Sequence, residues 1–126
     1  MKDFKQYYEL KAPPEEVYMA LTHPRAIETW SGEPAVMSTE PGSEFSIFGG
    51  EITGRNMEFE ENRKMVQQWY FDGQEEASVV SIKIHPKGAG SSVEVRHQNI
   101  PDEAFENISE GWTDTYFASV AEFLNE

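Results

Sequence analysis

The chain has 126 residues, 38% of them hydrophobic and 13% aromatic, and it contains no cysteine. This composition predicts a single globular domain over residues 1–126 and excludes disulfides and thiol chemistry. The 23 acidic and 10 basic side chains give a net charge of −13, which argues against nucleic acid and anionic membranes as partners. The N-terminal residues have no apolar leader pattern, and we expect a cytoplasmic protein.

The N-terminal quarter of the sequence predicts one strand and two short helices. Residues 4–10 are rich in aromatic side chains and bounded by charge, which is typical of a strand. Pro14, followed by two glutamates, suits the first turn of a helix. A second helix is expected from Pro24, because apolar residues recur at helical spacing from Ala26 to Trp30.

Six further strands are predicted by a change of the hydrophobic period to two. Short turns containing glycine, proline or asparagine separate these runs, so the strands are expected to form an antiparallel meander. The predicted strands are residues 35–38, 43–48, 51–59, 64–71, 78–84 and 91–98.

One of these strands changes the face on which its apolar side chains lie. Ile52 has one parity, whereas Met57 and Phe59 have the other. Gly54 lies between them, so we expect a glycine-centred bulge or bend that curves the sheet. The same alternation predicts that Met57 faces inward and that Glu58 faces solvent.

The end of the chain predicts a long amphipathic helix from about residue 108 to Leu124. Its apolar stripe recurs at steps of three or four residues, at Trp112, Tyr116, Val120 and Phe123. A β-hairpin that leads into one terminal helix is the ending expected of a curved sheet that wraps a helix. Such an arrangement leaves a cavity between the sheet and the helix.

Four stretches of the sequence resemble one known family. They are THPRAIETW, SIFGGEITGRNMEFEENRKMVQQWYF, SSVEVRHQNIPDE and EGWTDTYFASVAEFL. In this order they resemble the activator of heat-shock protein 90 ATPase homologues, a family of the START-like superfamily, also called SRPBCC. The resemblance implies an α+β helix-grip fold, also called Bet v-like, in the order β-α-α, six-stranded antiparallel meander and C-terminal helix. It also implies heat-shock protein 90 as a partner.

The predicted cavity would be lined by side chains on the inner face of the sheet and on the facing side of the helix. We expect it to bind a small hydrophobic or amphipathic ligand without catalysis. The alternative interpretation of the aromatic members is ordinary core packing. The residues expected to line the cavity are Phe45, Ile47, Met57, Trp69, Val80, Ile82, Val95, His97, Trp112 and Tyr116.

His97 shares the parity of Val93 and Val95, so it is predicted to point at the terminal helix. A buried imidazole needs hydrogen-bond partners, and a structural histidine bonded to the backbone or to Tyr116 is favoured over an acid–base role. The three histidines are scattered and no cysteine accompanies them, so we predict no metal site and no cofactor.

Three functions are consistent with the sequence. The first is a non-enzymatic module that binds a small ligand beneath the terminal helix. The second is a co-chaperone that contacts heat-shock protein 90 and activates its ATPase. The third, which is less favoured, is an acid–base enzyme such as a cyclase or hydrolase that uses His97. Either a monomer or a homodimer fits all three.

Overall fold

Six antiparallel strands form one curved sheet in the order β1-β6-β5-β4-β3-β2. This structure is a computed structural model, and it describes residues 1–125. The strands are β1 (Lys2–Leu10), β2 (Glu44–Ile47), β3 (Ile52–Glu60), β4 (Lys64–Trp69), β5 (Ser78–Lys87) and β6 (Gly90–Ile100).

The first strand of the chain pairs with the last. In the register of β1 and β6, Tyr8 lies opposite Val93 and Phe4 lies opposite His97. Each strand from β2 to β5 pairs with the next strand along the chain, as short turns favour. The predicted antiparallel meander and the predicted fold class are therefore confirmed.

A three-residue 3₁₀ turn (Phe48–Gly50) lies between β2 and β3, and the longer helical elements follow the first and the last strand. They are α1 (Pro14–Thr22), α2 (Pro24–Ser31), α3 (Asp102–Gly111), a π-helical segment (Trp112–Phe117) and α4 (Ala118–Leu124). Both α1 and α2 begin at a proline, as the sequence predicts. The indole of Trp30 on α2 donates a hydrogen bond of 2.9 Å to the carbonyl of Ala20, which fixes α2 against α1. Within residues 1–125, no helix is long and apolar enough to cross a membrane.

The C-terminal helix begins earlier than the sequence analysis predicted. It starts at Asp102 rather than near residue 108, and it runs through three contiguous segments to Leu124. The start signal is Pro101 followed by two acidic residues, which suit the positive end of the helix dipole. Residues 102–107 contain only two apolar side chains, Ala104 and Phe105, and neither is buried, which concealed this first part of the helix.

The prediction of a strand at residues 35–38 was wrong. Only Val36 joins the sheet there, through a single bridge to Ser46. Its amide donates to the Ser46 carbonyl at 2.8 Å, and the Ser46 amide donates back at 3.0 Å. One pair of hydrogen bonds leaves the rest of this segment outside the ladder, so the sheet has six strands and not seven.

The predicted switch of parity in β3 is present, but its position differs. The register with β4 shifts between Asn56 and Glu58, so the residue in the bulge is Met57 and not Gly54. Met57 is consequently 46% exposed, and Asn56 is fully buried in its place. Phe59, beyond the bulge, lies opposite Met65.

Candidate functional site

A cavity of about 300 Å³ opens between the C-terminal helix and the turn that joins β2 to β3. Its volume lies at the lower end of the range for small-molecule pockets. Its lining residues come from that turn, from the end of β4 and from one side of the helix. They are Phe48, Glu51, Ile52, Trp69, Asn107, Ile108, Gly111, Trp112, Thr115 and Tyr116.

The cavity has an apolar floor and a polar mouth. Trp69, Trp112 and Tyr116 are each no more than 5% exposed, and they form the floor. Glu51 and Asn107 are exposed and lie at the opening, as does Thr115. A site of this kind suits a molecule with one apolar end and one polar end.

The two tryptophans of the floor stack with ring centroids 4.9 Å apart and planes 24° apart. Both indole N–H groups have partners in the protein. Trp69 donates to the side-chain oxygen of Gln67 at 3.2 Å, and Trp112 donates to Nδ1 of His97 at 3.1 Å. Since these donors are satisfied, the indoles offer mainly apolar carbon surface to the cavity.

His97 lies beneath the floor and does not line the cavity. Its Nδ1 accepts from Trp112, so Nε2 carries the proton and donates to Ser78 Oγ at 2.8 Å. Ser78 Oγ in turn donates to the Gln98 carbonyl at 3.1 Å. The partners of His97 are therefore Trp112 and Ser78, rather than the backbone or Tyr116.

Burial keeps His97 neutral. Its removal from solvent lowers the pKa of the imidazole from 6.5 to about 4, against a smaller opposing effect of the Asp3 carboxylate. A neutral, fully buried ring with both nitrogens engaged gives no support to an acid–base role.

The turn that forms one wall of the cavity has a strained backbone. Phe48, Gly49 and Gly50 all have positive φ, with values of 54°, 64° and 95°. This conformation costs a bulky side chain about 1–2 kcal/mol, so other contacts must hold Phe48 in place. Its ring packs edge-on against Trp30 at 5.7 Å and tilted against Tyr116 at 6.3 Å. The wall of the cavity is thereby fixed to α2 and to the C-terminal helix.

Gly111 is the residue of the helix that leaves room for the cavity. Its backbone is α-helical, with φ −61° and ψ −35°, so the conformation does not require glycine. A β-carbon built at Gly111 would meet no atom within 4 Å. Glycine in a helix lowers the stability by about 1 kcal/mol relative to alanine. At this position the loss of stability is accompanied by open space at the cavity.

The residues predicted to line a cavity fall into three groups. Trp69, Trp112 and Tyr116 lie in the cavity wall. The prediction for Met57 was wrong, because the bulge at this residue turns its side chain away from the inner face of the sheet. The others are at most 2% exposed and form packed core between the sheet and the helix, so the cavity opens beside the turn between β2 and β3 and does not extend through this core. They are Phe45, Ile47, Val80, Ile82, Val95 and His97.

Sequence analysis did not identify seven residues of the cavity wall. Ile108 and Gly111 lie on the helix, and a glycine in the interior of an amphipathic helix was the one available signal. The strained turn was predicted only as one of the short glycine-containing turns between strands. The remaining missed residues are Phe48, Glu51, Ile52, Asn107 and Thr115. Across the described part of the chain, no group of three or more histidine or acidic side chains is arranged to hold a metal ion.

A curved antiparallel sheet that packs against a long C-terminal helix defines the START-like class of domains. The family model described as Activator of Hsp90 ATPase homolog 1-like protein matches residues 11–125, and the chain belongs to this family. The family predicted from the sequence is thus confirmed.

Relatives named as chaperone activators match the chain over most of its length. The activator of 90 kDa heat shock protein ATPase homolog of Dictyostelium discoideum is 27% identical over 115 residues, which are 88% of this chain and 30% of that protein. The mouse homolog 2 is 25% identical over 112 residues, which are 87% of this chain and 34% of that protein. The chain spans between 20% and 34% of the length of the curated relatives it matches.

Solved structures share the fold over nearly the whole chain. The crystal structure of an HSP90 activator from Plasmodium falciparum has a TM-score of 0.91 and 25% identity, covering 99% of this chain and 97% of that one. The solution structure of an Aha1 dimer from Colwellia psychrerythraea has a TM-score of 0.85, with 18% identity and coverage of 98% and 96%. At 18% identity the second likeness shows the fold alone.

Proposed function

We propose that this protein binds a small amphipathic molecule in the cavity between the C-terminal helix and the turn of residues 48–51. The observation that carries the proposal is Gly111, a glycine in helical conformation whose missing side chain leaves open space at the cavity. The apolar floor takes the apolar end of the molecule, and the polar mouth takes its other end.

The rigidity of the walls supports this function. Trp112 is held by its bond to His97, and Phe48 is held between Trp30 and Tyr116. A preformed apolar site loses little conformational entropy when a ligand enters, which favours binding.

Blocking the cavity tests the proposal. Gly111→Met adds a flexible apolar side chain at a position with free space, and methionine favours helix, so the variant is expected to fold. Native mass spectrometry of the protein purified from cells is expected to show a small-molecule mass that is lost on denaturation and is absent from Gly111→Met. Gly111→Ala is the matched control, because a methyl group leaves most of the cavity open.

A second measurement covers ligands that dissociate during purification. Saturation-transfer NMR with a set of small aromatic and amphipathic compounds is expected to detect binders that Gly111→Met no longer binds. If no compound binds, or if the blocked variant binds as well as the wild type, the cavity is not a ligand site.

Interaction with a heat-shock protein 90 chaperone is a second candidate function. It is favoured by relatives whose names describe activation of that ATPase and by the acidic C-terminal helix. Under this proposal, the acidic residues that follow Arg96 face a basic surface of the chaperone. The test is the chaperone's ATPase rate with and without this protein, which is expected to rise. Glu103→Lys with Glu106→Lys should reduce the effect, and an unchanged rate with the wild type would contradict the role.

A further inference from the structure

We infer that the polar end of the molecule bound in this cavity is an organic cation, held at the mouth by the carboxylate of Glu51. The inference rests on the proposed function and specifies its ligand class. Its physical basis is the combination of an aromatic cavity with a single charged group, which is negative.

The charge on the cavity lining is entirely negative. Glu51 is the only side chain of the lining that is charged at neutral pH. The Tyr116 phenol is neutral there, and its burial raises its pKa further. The lining contains no lysine, arginine or histidine. A carboxylate or phosphate headgroup would therefore find no counter-charge here, whereas an ammonium or amidinium group would find one.

Glu51 is available to such a group. No lysine or arginine nitrogen lies within 4.0 Å of its carboxylate in residues 1–125. Glu51 is the last residue of the strained turn, immediately before β3, and lies at the exposed edge of the aromatic floor. A cation bound there keeps part of its hydration, while its apolar substituent enters the cavity.

The surrounding field has the same sign. After Arg96 the sequence contains seven acidic side chains and no lysine or arginine, and this stretch includes the helix that forms the other wall. The Glu33 carboxylate lies against the turn as well, 3.1 Å from where a β-carbon on Gly49 would be. A cleft lined by one sign of charge concentrates ions of the opposite sign.

The aromatic lining adds to the preference. Four of the ten lining residues are aromatic, namely Phe48, Trp69, Trp112 and Tyr116. Aromatic rings attract alkylated ammonium groups through the negative faces of their π-systems. Anionic amphiphiles such as fatty acids gain nothing from this arrangement.

Three probes of nearly equal shape and different charge test the inference. They are benzyltrimethylammonium, the uncharged neopentylbenzene and the anionic phenylmethanesulfonate. Binding is followed by the indole N–H signals of Trp69 and Trp112 in ¹H–¹⁵N NMR spectra, with Trp30, which does not line the cavity, as the internal reference.

The expected result separates charge from shape. Glu51→Gln should weaken the cation about fivefold and leave the neutral probe unchanged, and added salt should have the same selective effect. Glu44→Gln, which removes an equal charge from a residue outside the cavity, should change neither. The anion should bind more weakly than both other probes.

The failure of this inference is distinguishable from the failure of ligand binding itself. If the neutral and cationic probes respond equally to Glu51→Gln, or if the anion binds as well as the cation, the ligand class is wrong and the binding site stands. If no probe shifts the two indole signals, or if Gly111→Met leaves the shifts unchanged, both the ligand class and the proposed site are overturned.

Discussion

The side chains of Asn56 and Gln67 form a buried amide pair across β3 and β4, with Gln67 Nε2 donating to Asn56 Oδ1 at 3.0 Å. Asn56 extends the contact by donating to the Ser38 carbonyl at 3.2 Å and to Ser43 Oγ at 3.1 Å. Gln67 extends it in the other direction by accepting from the indole of Trp69. A line of hydrogen bonds therefore runs from the loop before β2 to the floor of the cavity.

Adjacent substitutions in β3 test this arrangement. Asn56→Ala is expected to lower the free energy of unfolding by about 2–3 kcal/mol, because it removes the oxygen that accepts from the buried Nε2 of Gln67 and the amide that donates to the Ser38 carbonyl. Met57→Ala should change it by about 0.5 kcal/mol or less, since Met57 is exposed at the bulge. Urea unfolding measures both, and a larger loss for Met57→Ala would place the bulge elsewhere.

Mild acid is expected to destabilise the protein through His97. Its pKa of about 4 in the folded state lies below its ordinary 6.5, so between these values the unfolded chain binds a proton that the folded chain does not. The stabilisation is complete above about pH 6.5 and is lost as the pH falls toward 4, to a total of about 3 kcal/mol.

This pH dependence is measured by urea unfolding of the wild type and of His97→Gln across the same range. The variant cannot titrate at this position, so its stability should fall less steeply than that of the wild type. Parallel curves would mean that the imidazole binds its proton equally well in the folded and the unfolded protein. An NMR titration of the ring, with the exposed His85 in the same spectra, gives the pKa directly.

The bond between Trp112 and His97 is tested by a double-mutant cycle. Trp112→Phe should cost about 2–3 kcal/mol, because it leaves Nδ1 of His97 as a buried acceptor without a donor and reduces the stacking with Trp69. Adding His97→Phe should cost less than the sum of the single changes, by about 1 kcal/mol, since no acceptor then remains. Strict additivity would show that this hydrogen bond contributes nothing to stability.

Replacing Gly54 or Gly111 by alanine should change the free energy of unfolding in opposite directions. A β-carbon at Gly54 would lie 1.9 Å from the Gln68 carbonyl oxygen and 2.7 Å from the Phe45 ring, so Gly54→Ala should cost more than about 2 kcal/mol. Gly111→Ala meets open space in a helical conformation and should stabilise the protein by about 0.5–1 kcal/mol. Thermal unfolding of the two variants should shift the melting temperature in opposite directions.

The sequence predicted the features that follow from periodicity. The alternation in the predicted strand of residues 64–71 and the helical spacing of Trp112 and Tyr116 placed Trp69 and these two residues on facing surfaces. Period two and period 3.6 determine which side of a strand or helix is apolar. The same reasoning gave the wrong face for Met57 because of the bulge. One extra residue in a strand moves every later side chain to the opposite face of the sheet. The local sequence does not indicate which residue is the extra one.

The position of the cavity was beyond the reach of periodicity. Whether an inward side chain lines a void or fills it depends on how far the helix stands from the sheet, and this distance is set by the summed volumes of residues such as Phe45 and Ile47. Glu51 and Asn107 reach the cavity mouth only because the strained turn and the first part of the helix approach each other there. Such approaches are tertiary and leave no repeating pattern in the sequence.

The π-helical segment divides the continuous C-terminal helix into two parts, α3 and α4, that have different roles. A π-helical turn contains an extra residue. The side chains before Trp112 are therefore rotated about the helix axis, relative to those after Phe117, by up to the roughly 100° that one helical residue contributes. The part that follows stays anchored to the core through Val120, while the part that precedes presents Asn107 and Gly111 to the opening. Deleting one residue of the segment, such as Thr113, would restore an ordinary helix and rotate the opening-facing side chains away from the aromatic floor.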